Sequence, residues 1–175
     1  MATRLQPRTL SGTIVFTDIV GFTEFTALKG DADALALLVR QERLARDVMP
    51  NDARIVKELG DGLLLWFTDS VGALRGTLAL LCRFEEESRA TGLPLWVRVG
   101  MHHGQVLARG SDLVGHDVNL AARIVDLAGP GEVLLSDATR NDIGADAPEV
   151  LFDELGPVMM KGIPTPVRLW RAQAD

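Results

Sequence analysis

Cysteine is nearly absent from this chain: Cys82 is the only one, so no internal disulfide can form. With one Cys and three His the sequence also lacks the ligands of a structural zinc site. A disulfide-stapled secreted scaffold and a zinc ribbon are therefore both excluded, and a reducing, cytoplasmic setting is expected. Long apolar runs are missing too. Stretches such as Gly62–Phe67 (GLLLWF) fall far short of the roughly 20 residues a spanning helix needs, so no membrane association is expected. The opening MATRLQPRTL carries no apolar segment of signal-peptide length. Positive charge is scarce: 18 Lys and Arg stand against 24 Asp and Glu, for a net charge of -6. Nucleic-acid binding, which depends on neutralising phosphates, is thus not expected as the main role. Internal repeats, Gly/Ser linkers and blocks of like charge do not occur, which predicts an N-terminal tail over 1–11 and one domain over 12–175. Any regulatory domain or partner would lie elsewhere.

What is present is an ordinary globular composition, with 47% hydrophobic and 24% charged residues in 175. Thr13–Asp18 (TIVFTD) is β-branched and aromatic and runs into a glycine turn, as a buried strand does. Ala34, Leu37, Leu38, Leu44, Ala45 and Val48 recur at helical spacing before Pro50. Two strand-like runs, Arg54–Leu59 and Leu63–Phe67, flank Gly60-Asp61-Gly62, a strong hairpin signal with Asp61 at the tip. A second helix follows from Ser70 to Glu87 through Val71, Leu74, Leu78, Leu81 and Cys82, with Asp69 or Ser70 as cap. Strands are expected at Leu95–Met101 and Gln105–Ala108, then a helix carrying Val118, Ala121, Ala122 and Val125 that stops at Gly129-Pro130-Gly131. Glu132–Leu135 reads as a strand, and Val150–Trp170 as two more around Lys161-Gly162. This order predicts an α+β fold: a ferredoxin-like split βαβ core, its sheet covered by helices on one face, with a C-terminal α/β extension.

Several polar residues stand out against this frame. Asp18 ends the first strand and Asp61 tips the hairpin expected beside it. Paired carboxylates with few other ligands suit Mg²⁺ or Mn²⁺, although a loop cap and a turn residue would account for the two equally well. Gly21, Phe22 and Thr23 follow directly, where free backbone N–H groups could cradle phosphate. Lys57, on the hairpin strand among apolar neighbours, either snorkels outward or reaches into a site. Asn119 and Arg123 lie one helical turn apart and project together, as a solvated face or as a pair acting jointly on ribose and phosphate. His102 and His103 are neighbours on a strand, point to opposite faces and read as structural, His116 as a loop or cap residue, and Cys82 as a small core residue.

Four ordered segments together resemble the class III nucleotidyl cyclase catalytic domain: Phe16–Thr23 (FTDIVGFT), Lys57–Gly62 (KELGDG), Val97–Gly104 (VRVGMHHG) and Gly115–Arg123 (GHDVNLAAR). The resemblance implies conversion of ATP to 3′,5′-cyclic AMP and pyrophosphate with two Mg²⁺ or Mn²⁺ ions per site. It also implies sites shared between the protomers of a head-to-tail homodimer. By position, Asp18, Ile19 and Asp61 match the metal-binding residues, and Asn119 and Arg123 the transition-state pair given by the partner chain. Lys57 and Asp112 match the purine-selecting positions. Lys161 matches a triphosphate lysine on a late mobile loop, and Arg98 a further phosphate contact beside Gly21, Phe22 and Thr23. A guanylyl cyclase, or a non-catalytic ATP-binding module, would use the same fold. Arg109–Val114 is a short connection where longer family members carry a dimerisation hairpin.

Overall fold

A computed structural model describes residues 7–175. Its elements run β1 (Arg8–Ile19), α1 (Phe22–Lys29), α2 (Asp31–Val48), β2 (Arg54–Leu59), β3 (Gly62–Phe67), α3 (Ser70–Thr91) and β4 (Val97–Arg109). There follow β5 (Asp112–Val114), α4 (His116–Leu127), β6 (Val133–Ser136), α5 (Asp137–Ile143), β7 (Val150–Val158) and β8 (Val167–Ala174). The strands form one sheet of 8 in the order β2-β3-β1-β4-β6-β8-β7, with β5 paired to β4. The first four positions are the expected ferredoxin-like core, and β6, β7 and β8 extend it. No helix among the described residues is long and apolar enough to cross a membrane.

Alternation along β1 divides the interior. Val15 and Ile19 face the core beneath α2 and α3, which holds Leu37, Leu44, Leu74 and Phe84, whereas Ile14 and Phe16 face Val118, Ala121 and Val125 of α4. The sheet is therefore covered on both faces and not on one as expected, because α4 packs opposite the two core helices. A one-residue slip of β1 would exchange these two faces, so burial on both sides locks its register. That register sets Asp18 across from Gly62 on β3 and from Arg98 on β4.

Several boundaries differ from the sequence reading. Residues 1–6 of the expected tail lie outside the described residues, and Arg8–Ser11 belong to β1, paired with Gln105–Ala108 of β4. The two strands expected around Gly104 are one strand, β4. Its glycines break the apolar pattern because α4 presses on them: a Cβ at Gly100 would meet the Val125 backbone nitrogen, and one at Gly104 the Asp117 carboxylate. Helices α1 and α5 were not foreseen. On α3 the inner stripe is Ala73, Leu74, Thr77, Leu80 and Phe84, so Cys82 is exposed rather than a core residue. Asp69 is the cap, accepting from the Gly72 N–H at 2.7 Å.

Candidate active site

The carboxylates expected at two separate points of the chain meet at one end of the sheet. Because Asp18 pairs with Gly62, Asp61 falls opposite Ile19, whose N–H donates to the Asp61 carbonyl at 3.3 Å. Gly62 admits this approach, since a Cβ there would stand 2.1 Å from the Thr17 carbonyl oxygen. Burial first, and then the adjoining Asp18 carboxylate, push the Asp61 carboxyl up to about 6 from an ordinary 3.8. A bound divalent cation would relieve that crowding, and hard oxygen donors of this kind suit Mg²⁺ or Mn²⁺. No group of three or more His, Cys, Asp or Glu able to hold a metal is found among the described residues. Such ions would therefore complete their shells with backbone oxygen, water and phosphate.

Arg98 supplies the countercharge. Its Nε lies 2.8 Å and its Nη2 2.6 Å from Asp18 Oδ2, and its Nη1 donates to the Asp126 carbonyl at 3.2 Å. The guanidinium expected to touch phosphate thus rests on Asp18, one of the two carboxylates expected to hold metal. Asp126, which the sequence reading passed over, also stands 3.6 Å from Arg123 Nη1.

The turn between β1 and α1, where phosphate contacts are expected, is made by a glycine. Gly21 takes φ 76° and ψ 19°, a left-handed conformation that favours glycine, and leads into the first turn of α1 at Phe22 and Thr23. Thr23 is exposed and Phe22 half-buried. Lys161 sits in the exposed connection from β7 to β8, between the buried Met160 and Ile163. Those two side chains pack with Leu120 and Ile124 of α4, which ties the lysine's loop to the helix that carries Asn119 and Arg123.

Lys57 and Asp112, 55 residues apart, form an ion pair: Nζ lies 2.8 Å from Oδ1 and 3.0 Å from Oδ2. Each side chain is 39% exposed, so the pair is open to a ligand. The Lys57 contact holds the Asp112 carboxyl below its usual range. Arg54 of β2 donates to the neighbouring Ser111 carbonyl at 3.0 Å, a second strut under the β4–β5 turn that sequence spacing gave no sign of.

Asn119 and Arg123 project from the outer face of α4, both exposed. No hydrogen bond or ion pair joins either of them to Asp18 or Asp61 among the described residues. The helix itself is pinned at its start: Asp117 accepts from the Gln105 N–H at 2.7 Å and stands 3.3 Å from His102 Nε2. His102 Nδ1 and Ser136 Oγ are 2.7 Å apart, and burial lowers the His102 pKa despite Asp117. His103 faces the other way, toward Thr13 and Asp142, and His116 is the first residue of α4. His102 and His103 thus join neighbouring elements from the opposite faces their alternation predicts, whereas His116 lies within α4, after the Gly115 cap, rather than in the loop or at the cap.

The sequence matches the adenylate and guanylate cyclase catalytic domain over residues 6–171. The chain belongs to that family. A pH-sensitive adenylate cyclase of Mycobacterium tuberculosis is 32% identical to this cyclase domain over 164 residues, 92% of this chain and 40% of that protein. An adenylate cyclase of Streptomyces griseus is 33% identical over 137 residues, 77% of this chain and 33% of that protein. The chain thus spans well under half the length of these relatives. Among solved structures, the adenylyl cyclase CyaB of P. aeruginosa superposes on the cyclase domain with a TM-score of 0.85 at 23% identity, covering 98% of this chain and 97% of that one. The guanylyl cyclase Cya2 gives 0.84 at 22% identity, over 97% and 95%. The two share the fold and differ in the purine, so the fold alone does not choose between ATP and GTP.

Proposed function

We propose that this domain converts ATP to 3′,5′-cyclic AMP and pyrophosphate at sites built from two copies of the chain. The observation that carries the proposal is that one chain holds two complements ready but unjoined. Asp18 and Asp61 converge at the end of the sheet, while Asn119 and Arg123 point outward from α4 without touching either. A two-fold pairing brings each complement to the other twice and yields two equivalent sites.

Asp18 and Asp61, with Ile19, would hold two Mg²⁺ or Mn²⁺ ions, which when bound lower the pKa of the ribose 3′-hydroxyl and neutralise the leaving pyrophosphate. The chain's own residues do the rest. Lys57 donates to adenine N1 and Asp112 accepts from the N6 amino group, exchanging their mutual ion pair for the purine edge. Asn119 orients the ribose, and the Arg123 fork meets charge developing at the α-phosphate. The N–H groups of Gly21, Phe22 and Thr23, with Lys161, steady the remaining phosphates, and Arg98 joins them once displaced from Asp18 by a cation.

The test is product formation from ATP and from GTP over a range of protein concentrations with Mg²⁺ or Mn²⁺. Cyclic AMP rising faster than linearly with protein is expected. Lys57→Met should lower kcat/KM for ATP roughly 10- to 100-fold, the value of one well-made base contact, and narrow the preference over GTP. Cyclic GMP as the main product would overturn the purine assignment. Binding of ATP without either product would favour a non-catalytic module.

A further inference from the structure

The inner stripe of α2 contains one amide among apolar residues. Gln41 lies four residues after Leu37 and three before Leu44, and it is 1% exposed. Leucine or methionine would fill this position with no polar atom left to satisfy. An amide buried with incomplete hydrogen bonding is instead unfavourable, and here the bonding is incomplete: Gln41 Oε1 has no partner. The other end of the carboxamide does have one. Its Nε2 donates to the Asp61 carbonyl at 3.4 Å, the same oxygen that accepts from the Ile19 N–H at 3.3 Å. One carbonyl at the hairpin tip therefore receives two donors, from the end of β1 and from α2, each at the long end of the hydrogen-bond range.

We propose that Gln41 is a positioning residue for the cation site, holding the Asp61 carbonyl so that the Asp61 carboxylate stays opposite Asp18. This rests on the reading of Asp18 and Asp61 as the cation ligands. Gln41 touches neither ion nor nucleotide and acts only through the backbone of Asp61. A residue kept for packing has no need of an orphaned buried oxygen; a donor aimed at the turn does. Departures from local packing rules of this kind concentrate at functional sites. The two carboxylates repel each other, so a turn held by Ile19 alone would let them separate in the absence of an ion. Outer partners that orient metal ligands commonly contribute 10- to 100-fold to affinity.

Gln41→Met keeps the length and volume of the side chain and removes both donor and orphan acceptor. With Mn²⁺ alone as the probe, followed by electron paramagnetic resonance of the free ion, the variant should bind about tenfold more weakly or worse. Its thermal midpoint in EDTA should stay level or rise. In turnover, the Mn²⁺ concentration for half-maximal rate should rise by a similar factor, with kcat recovered at saturating Mn²⁺. Gln41→Leu, differing in shape, should behave alike. Asp61→Ala separates the two levels of the argument: if it binds Mn²⁺ as the parent does, the cation-site reading falls and this inference with it. If Asp61→Ala loses binding while both Gln41 variants keep the parent affinity, the positioning role is overturned. Weaker binding in step with a lower thermal midpoint in both variants also overturns it, because a packing residue would give that result.

Discussion

Replacing Asp61 by Asn should cut cyclase turnover roughly a thousandfold while making the metal-free protein more resistant to heat at pH 8. On the proposed reading of Asp61 as a cation ligand, the first effect follows from loss of ions that would supply several kcal/mol of charge stabilisation, at about 1.4 kcal/mol per tenfold. The second follows from the direction of the Asp61 shift. A carboxyl raised from 3.8 to about 6 binds its proton more tightly in the folded chain than in the unfolded one. Its contribution to stability is fully present below pH 3.8 and is lost as the pH rises through about 6, so at pH 8 the ionised group sits in a fold that disfavours it. Asparagine never ionises and escapes that penalty. Thermal unfolding in EDTA at pH 8 should show a higher midpoint for Asp61→Asn, and the difference should shrink toward pH 4. Adding Mn²⁺ should raise the midpoint of the parent and not of the variant. A variant less stable than its parent at pH 8 would mean that Asp61 is held by the fold for its own sake.

Arg123→Ala should lower kcat about 100- to 1000-fold and leave the KM for ATP nearly unchanged. Arg123 is 47% exposed on its side chain and stands 3.6 Å from Asp126, so its removal should barely touch stability. A group that meets charge only as it develops lowers kcat and kcat/KM together when removed, as donors aimed at a transition state do. Steady-state kinetics with ATP checks the split. A raised KM at unchanged kcat would assign Arg123 to ground-state binding instead.

How much could be read in advance depended on the range of the signal. The hairpin at Gly60-Asp61-Gly62 and the helix of α2 were legible because turn chemistry and helical period act over a few residues. Helix α1 was not, since it is only eight residues long, buries none of them fully and packs on the core through just Phe22 and Phe25. Helix α5 is only seven residues long, although its Ser136 cap was a local clue. Strand β4 looked interrupted because its glycines answer to α4, an element that comes later in the chain. The polarity rule placed Cys82 inside and left Gln41 unremarked, whereas the structure exposes the first and buries the second. Gln41 does fall on the period of Leu37 and Leu44, a cue that outweighs its polarity once a partner for the amide is sought. The pairing of Lys57 with Asp112 and the rest of Arg98 on Asp18 depend on sheet register, which no local pattern encodes; Lys57 and Asp18 stand out locally, whereas only the family resemblance points to Asp112 and Arg98.

The central claim, a site divided between two copies, is tested most directly by mixing Asp18→Ala with Arg123→Ala. Each variant alone should be nearly inactive. Random pairing makes about half of the dimers mixed, each with one intact site of two, so activity should recover toward about a quarter of the parent value. If mixed dimers are shown to form and no activity returns, Asp18 and Arg123 do not serve opposite halves of one site, and the account is contradicted.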